Sequence, residues 1–316
     1  MKKLVGFLTV AGLLTSVNAA EVNLKLPVKV SGGISAGYSY ADSTAEGFEL
    51  NNFLLEFSKD AETGDIGFTA AIGYLSSNKP STTGDQFGFQ YGYLTIKPIE
   101  NITLDAGVLT TNVGYEVANT YANPNITLGK VWSAQPVYYG GARLTYSFTE
   151  DLNVFAEVND DGNSGAWSVG SIGKLNNIEY VASYYDKNNP SEPDIVDIIL
   201  STSLMENLDV AVNGDYQIGK NNNGYGVAFY IIPKAGNISL PIRLESFDDN
   251  GSGAYNNNKG YDIAITPTYK FKSGYLRAEA FYYNYDKKEG ISGSDAAGGY
   301  VDDSNVVFRV EAGYTF

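Results

Sequence analysis

The sequence predicts an all-β fold, a transmembrane antiparallel up-and-down β-barrel of about 16 strands, with 14 as the alternative count. Three observations carry this. Apolar and polar residues alternate with period 2 in segments that recur about every 18 residues between turn residues, while helical periodicity is hard to find after residue 20. No later stretch approaches the roughly 20 apolar residues of a spanning helix. The composition is aromatic and Gly-rich without being greasy: 25 Tyr, 15 Phe and 35 Gly in a chain only 43% hydrophobic. That mixture suits strands with one apolar and one polar face.

In order, strands are expected at 28–40, 48–59, 66–76, 86–98, 102–109, 137–148, 152–159 and 166–173. The second half continues at 178–185, 195–204, 208–219, 225–232, 239–247, 261–271, 275–285 and 305–316. The number is even and places both chain ends on one side. Short connections at 60–65, 99–101, 149–151, 174–177, 205–207, 233–238 and 272–274 alternate with polar ones. The polar set is long at 110–136, 186–194, 248–260 and 286–304, and briefer at 41–47, 77–85, 160–165 and 220–224. Short periplasmic turns and long outer loops are what an outer-membrane barrel requires. No linker interrupts the pattern, so residues 20–316 read as one barrel domain.

Residues 1–19 read as a cleaved signal peptide. Lys2 and Lys3 form the basic start, an apolar run covers 4–14, and the small residues Val17 and Ala19 mark cleavage after Ala19. A run of roughly 11 residues is too short to anchor the chain as a helix.

Composition also excludes chemistry. A net charge of −15 argues against nucleic acid as a partner, because a binder needs Lys and Arg to displace phosphate counterions. Neither Cys nor His occurs, which removes thiolate chemistry, the commonest general base and the commonest metal ligand. No enzyme, cofactor or metal site is expected. Acid pairs such as Asp302 and Asp303 match no calcium-loop spacing.

Parity assigns charges to the inner face. The four arginines, Arg143, Arg243, Arg277 and Arg309, all fall in strands, opposite apolar faces. On a lipid face near the midplane each would cost about 2–4 kcal/mol, so they are expected to point inward. Three recur as Arg-x-Glu, with Glu245, Glu279 and Glu311, and a spacing of two puts both side chains on one face. Glu157 stands on the polar face beside Arg143. Glu179, Asp197, Asp209, Asp215 and Asp262 join by parity, as do Glu56 and Asp105. These residues either line a charged aqueous lumen that filters solutes or brace the wall by neutralising one another. Acids outnumber the arginines, so weak cation preference is expected. Phe155, Phe281 and Tyr283 share the inner parity and form a candidate stacking surface for a selective channel.

One connection is out of scale. Residues 110–136 form a loop of about 27 residues, where loops beyond roughly 12–15 are usually functional or disordered. Tyr115, Tyr121 and Trp132 supply apolar anchors, Glu116 and Lys130 charge, and Pro124 and Pro136 stiffness. An inward fold that narrows the lumen is expected, against the alternative of a cap on the outer rim.

The stretch 104–163 resembles a known family. Its GYE at Gly114, Tyr115 and Glu116, its Asn-Pro-Asn from Asn123 to Asn125, its Gln135-Pro136, and the Gly141, Arg143, Tyr146 pattern are similar to the β-barrel porin-2, OmpL-like, family. The closing strand, with Tyr314 and the terminal Phe316, resembles the general outer-membrane assembly signal. The resemblance implies a porin in the outer membrane of a Gram-negative-type bacterium, without a cofactor. It would be inserted by the barrel-assembly machinery with periplasmic chaperones. Expected partners are outer-membrane lipid, lipopolysaccharide and small hydrophilic solutes, with monomer and homotrimer both open. Passive diffusion is the leading function, since about 16 strands leave an aqueous channel. A channel selective for sugars or organic acids, and a structural or adhesive barrel presenting its loops, are the alternatives.

Overall fold

Alternation becomes wall in strand Leu152–Asn159, where Leu152, Val154, Ala156 and Val158 are exposed and Asn153, Phe155, Glu157 and Asn159 are buried. The exposed residues are the apolar ones. Across the barrel Arg243 is 0% exposed while its neighbour Leu244 is 38% exposed. A water-soluble sheet buries its apolar face, so this inverted pattern identifies an outer surface made for lipid.

The computed structural model describes residues 28–41, 47–75, 87–161, 165–287 and 304–316. The signal peptide expected at 1–19 lies outside them, as do all or part of the outer loops expected at 41–47, 77–85, 160–165 and 286–304. The first strands are β1 Lys29–Ala41, β2 Gly47–Lys59, β3 Asp65–Leu75, β4 Phe87–Ile99 and β5 Ile102–Thr110. They continue as β6 Tyr138–Thr149, β7 Leu152–Asn159, β8 Ala166–Leu175, β9 Ile178–Asp186, β10 Asp194–Met205 and β11 Leu208–Ile218. The last five are β12 Asn223–Ala235, β13 in two pieces (Ile238–Ser239 and Ile242–Asp248), β14 in two pieces (Lys259–Ile265 and Thr268–Lys270), β15 Gly274–Tyr285 and β16 Ser304–Thr315.

Each strand pairs antiparallel with its neighbours, and β1 closes on β16 from Gly33 opposite Thr315 to Ala41 opposite Val307. Closure leaves no edge among the described strands, which satisfies the backbone in lipid. Two expectations need correction. The strands expected unbroken at 239–247 and 261–271 are interrupted at Pro241 and Pro267, because proline has no N–H to give to a ladder. Flanking amides compensate: Thr266 N–H donates to the Pro241 carbonyl at 2.8 Å, and Ala278 N–H to that of Pro267 at 3.1 Å.

Aromatic pairs mark the two rims of the apolar band. Tyr146 with Phe148 and Tyr269 with Phe271 sit beside short turns, while Trp167 with Tyr184 and Tyr261 with Tyr282 sit toward the longer loops. Such girdles belong at membrane interfaces.

Candidate functional site

Between β5 and β6 the chain leaves the wall for residues 111–137. In a ring of 16 strands, β13 and β14 lie about diametrically opposite this point, and the loop is bonded to them. It therefore crosses the lumen. Its backbone forms one turn of 3-10 helix at Thr120–Ala122 and one of α-helix at Lys130–Ser133. Turns so short leave most amides without internal partners, and side chains of the wall supply them.

The wall charges are those partners. Arg243 of β13 donates to Glu116 Oε1 at 2.7 Å and to the Thr127 carbonyl. Glu245 accepts from the Lys130 amide at 2.6 Å and the Val131 amide at 3.4 Å, the N-terminal donors of the short helix. Glu279 of β15 accepts from the amides of Ile126 at 2.6 Å and Thr127 at 2.9 Å and from the Thr127 hydroxyl. Arg277 reaches the carbonyls of Asn123 at 2.9 Å and Thr120 at 3.0 Å. On β10 and β11, Asp197 accepts from the Gly114 amide at 3.3 Å, and Asp215 from Gln135 Nε2 at 2.9 Å.

The Arg-x-Glu motifs thus pair differently from the same-strand reading. Arg277 bonds Glu311 across the strand boundary at 2.6 Å, which frees Glu279 for the loop. Arg243 stands 3.8 Å from Glu245 and 3.5 Å from Asp262, but only 2.7 Å from Glu116. Directly opposite residues on adjacent strands approach within about 5 Å, closer than residues two apart on one strand, so cross-strand and loop partners win. Arg143 pairs with Glu157 at 2.5 Å and also donates to the Thr110 carbonyl at the base of the loop. Arg309 stands in register with Glu279 and is 4% exposed. Asp209 pairs with Lys234, and Glu179 stands half-buried opposite Lys174, near the short turn and away from the loop attachment.

Of the loop residues expected to matter, Tyr115 is buried with its ring 4.4 Å from that of Tyr230. Trp132 packs with Ala118 and Leu128, and Lys130 lies over the Phe247 ring at 5.8 Å. Tyr121 lies against Gly33 of β1, where an added Cβ would come within 2.8 Å of the ring, so glycine permits the approach. Phe281 and Tyr283 are each 1% exposed, stack on one another and share a buried cluster with Phe247, Tyr255 and Tyr285, with Tyr255 coming from the outer loop 249–258. They form packing and offer no open slide. Phe155 is 2% exposed beneath Arg143. At the chain end, Tyr314 is 49% exposed on the lipid face, and Phe316 exchanges two 3.0 Å backbone bonds with Gly32.

Uncharged anchors, which neither charge nor motif singles out in the sequence, complete the attachment. Asn52 receives the Thr120 amide at 3.2 Å and donates to its hydroxyl at 2.6 Å. Asn213 accepts from Tyr115 N–H at 3.2 Å, and Thr266 accepts from Asn125 at 2.7 Å. Asn213 shares parity with Asp209 and Asp215, so its place on the inner face was visible.

A closed barrel of 16 antiparallel strands, lipid-facing outside and polar within, with a long loop laid across its lumen, defines an outer-membrane channel scaffold. Residues 27–316 match the family described as "Putative beta-barrel porin-2, OmpL-like", and the chain belongs to it. The protein is an outer-membrane protein of a channel family and not of an enzyme family. Its fold is similar to the outer membrane channel DcaP of Acinetobacter baumannii, with TM-score 0.64 at 13% identity over 92% of this chain and 97% of that one. OmpT of Vibrio cholerae gives 0.63 at 12% over 92% and 97%, and a mutant of the Rh. blastica porin 0.61 at 14% over 92% and 100%. No curated protein matches the sequence.

Proposed function

We propose that the protein is a diffusion channel for small hydrophilic solutes and ions, narrowed by loop 111–137 and weakly cation-selective. The observation that carries this is the attachment of the loop to the opposite wall through Arg243, Glu245, Arg277 and Glu279. Ordered irregular backbone inside a barrel is tolerated where it lines a water-filled cavity. Around the single Arg243 stand Glu116, Glu245 and Asp262, and Asp197 faces Asp215 in register. This acid excess supports the cation preference. The C-terminal strand with Tyr314 and Phe316 serves insertion by the barrel-assembly machinery, following export on residues 1–19.

Reconstitution in planar bilayers is the test. Discrete conductance steps with a reversal potential on the cation side in a KCl gradient are expected. Absence of steps and of solute efflux from loaded vesicles defeats the channel reading, and an anion-side potential defeats the selectivity.

A further inference from the structure

Beneath the loop, at the end of the barrel that carries the short turns, lies a cavity of about 550 Å³. That size is in the range of small-molecule sites, about 300–1,000 Å³. Its two walls differ in kind. One carries cations from β12, β14 and the turn after β14: Lys234, Lys270 and Lys272, with Arg277 above them. The other is aromatic: Tyr91, Tyr121, Trp132 and Tyr138, the first and last of these with ring centroids 5.3 Å apart.

These cations differ from those of the loop clamp. Arg277 is held by Glu311, and Lys234 is paired with Asp209, yet its side chain stays 38% exposed. Lys270 and Lys272 are exposed and form no ion pair among the described residues, Lys270 lying close enough to the Lys234–Asp209 pair to feel both of its charges. The acids that line the same cavity are already engaged, Glu116 by Arg243 and Glu56 by the Tyr91 hydroxyl at 2.5 Å. Two exposed ammonium groups without an ion pair of their own thus line a small cavity whose other wall is aromatic. An anion alone would leave the aromatic wall unused, and an uncharged ring would leave the lysines unused.

We propose that this periplasmic vestibule is a binding site for small organic anions with an apolar or aromatic body, the carboxylate at Lys270 and Lys272 and the body against Tyr121, Trp132 and Tyr138. The assignment deepens the channel reading, on which it rests for its purpose, the capture of a solute class at one mouth. It concerns local binding and is compatible with a cation preference set at the acid-rich clamp.

The chain holds 2 Trp, and Trp132 lines the cavity whereas Trp167 lies on the lipid face. Refolded Trp167→Phe protein in detergent therefore reports from the vestibule alone. It is titrated with 4-nitrobenzoate, an aromatic carboxylate that quenches tryptophan fluorescence, and with the neutral isostere 4-nitrobenzamide. Saturable quenching by the carboxylate is expected, at least about tenfold weaker for the amide and for a Lys270→Gln, Lys272→Gln background, as two lost ion pairs predict. Both lysines are exposed, so these variants keep the fold, which circular dichroism verifies. Equal quenching by the two probes, or an unchanged response in the double variant, overturns the proposal. Because the readout needs no conduction, its failure is distinguishable from failure of the channel reading, which bilayer recordings on the same preparation report.

Discussion

Positive charge serves opposite purposes in the middle of the lumen and at its periplasmic mouth. Arg243 and Arg277, 0% and 4% exposed, are surrounded by carboxylates and loop carbonyls. Lys270 and Lys272 are exposed and form no ion pair among the described residues, although the Asp209 charge reaches Lys270. Both sets belong to the inner face, so parity alone cannot separate them. Burial does. A buried charge bonded to the loop holds structure, and only the excess of acids over cations beside it leaves a net field, whereas an exposed charge retains its whole field for a solute.

The comparison breaks first at Arg243. Arg243→Ala leaves the buried Glu116, Glu245 and Asp262 without their cation and should cost about 3–5 kcal/mol, as removal of one member of a buried pair does. Denaturant unfolding of the barrel in detergent measures it. A change below about 1 kcal/mol, the size of an exposed pair, would place Arg243 with the lysines.

An effect of intermediate size is expected in the outer loop 249–258. Burial would raise the carboxyl pKa of Asp249, but the amides of Gly253 at 2.8 Å, Asn257 at 2.9 Å and Tyr255 at 2.6 Å and the Ser252 hydroxyl outweigh it and hold the pKa below the usual range. The folded value lies beneath the unfolded one, so the contribution is fully present above the ordinary carboxylate range. It is lost as pH falls through the depressed value. Asp249→Asn should weaken the loop by about 1–3 kcal/mol at neutral pH. Amide exchange at Gly253, Tyr255 and Asn257, corrected for intrinsic rates, should accelerate in the variant and, in the wild type, only under acid. Pro267, far from this loop, should give no such signal through its neighbour Thr268.

The smallest effect belongs to the mouth. Lys270→Gln with Lys272→Gln should leave stability within about 0.5 kcal/mol, as exposed substitutions do, and move the reversal potential further to the cation side. A shift toward anions would contradict the placement of these ammonium groups on the ion path.

Much of the barrel was legible because its signals are local. Alternation at Phe308, Val310 and Ala312 needs only neighbours in sequence, and the paired lengths of turns and loops follow from one strand to the next. The interruptions at Pro241 and Pro267 were missed, although the missing amide is a property of the residue itself and was there to be read. The inner face of Arg243, Glu245, Arg277 and Glu279 was readable because its alternation is equally local. Their partners were not. Glu279 with Ile126, or Arg243 with Glu116, joins positions more than a hundred residues apart, and nothing local distinguishes a carboxylate that holds an amide from one that meets water. Asn52 and Asn213 were harder still, because an uncharged side chain on a polar face carries no sign of what it bonds. The vestibule combines both difficulties: Lys270 of β14 and Tyr91 of β4 line one cavity only because the sheet closes into a barrel.

The central claim is that loop 111–137 narrows a conducting lumen because wall carboxylates hold it across the barrel. Single-channel conductance of wild type against a Glu245→Gln, Glu279→Gln variant tests it most directly, since both substitutions keep size and remove the charge that grips the loop amides. Discrete steps in the wild type, with larger and noisier steps in the variant, are predicted. Silent bilayers, or a variant whose conductance and noise equal the wild type's, would contradict the claim.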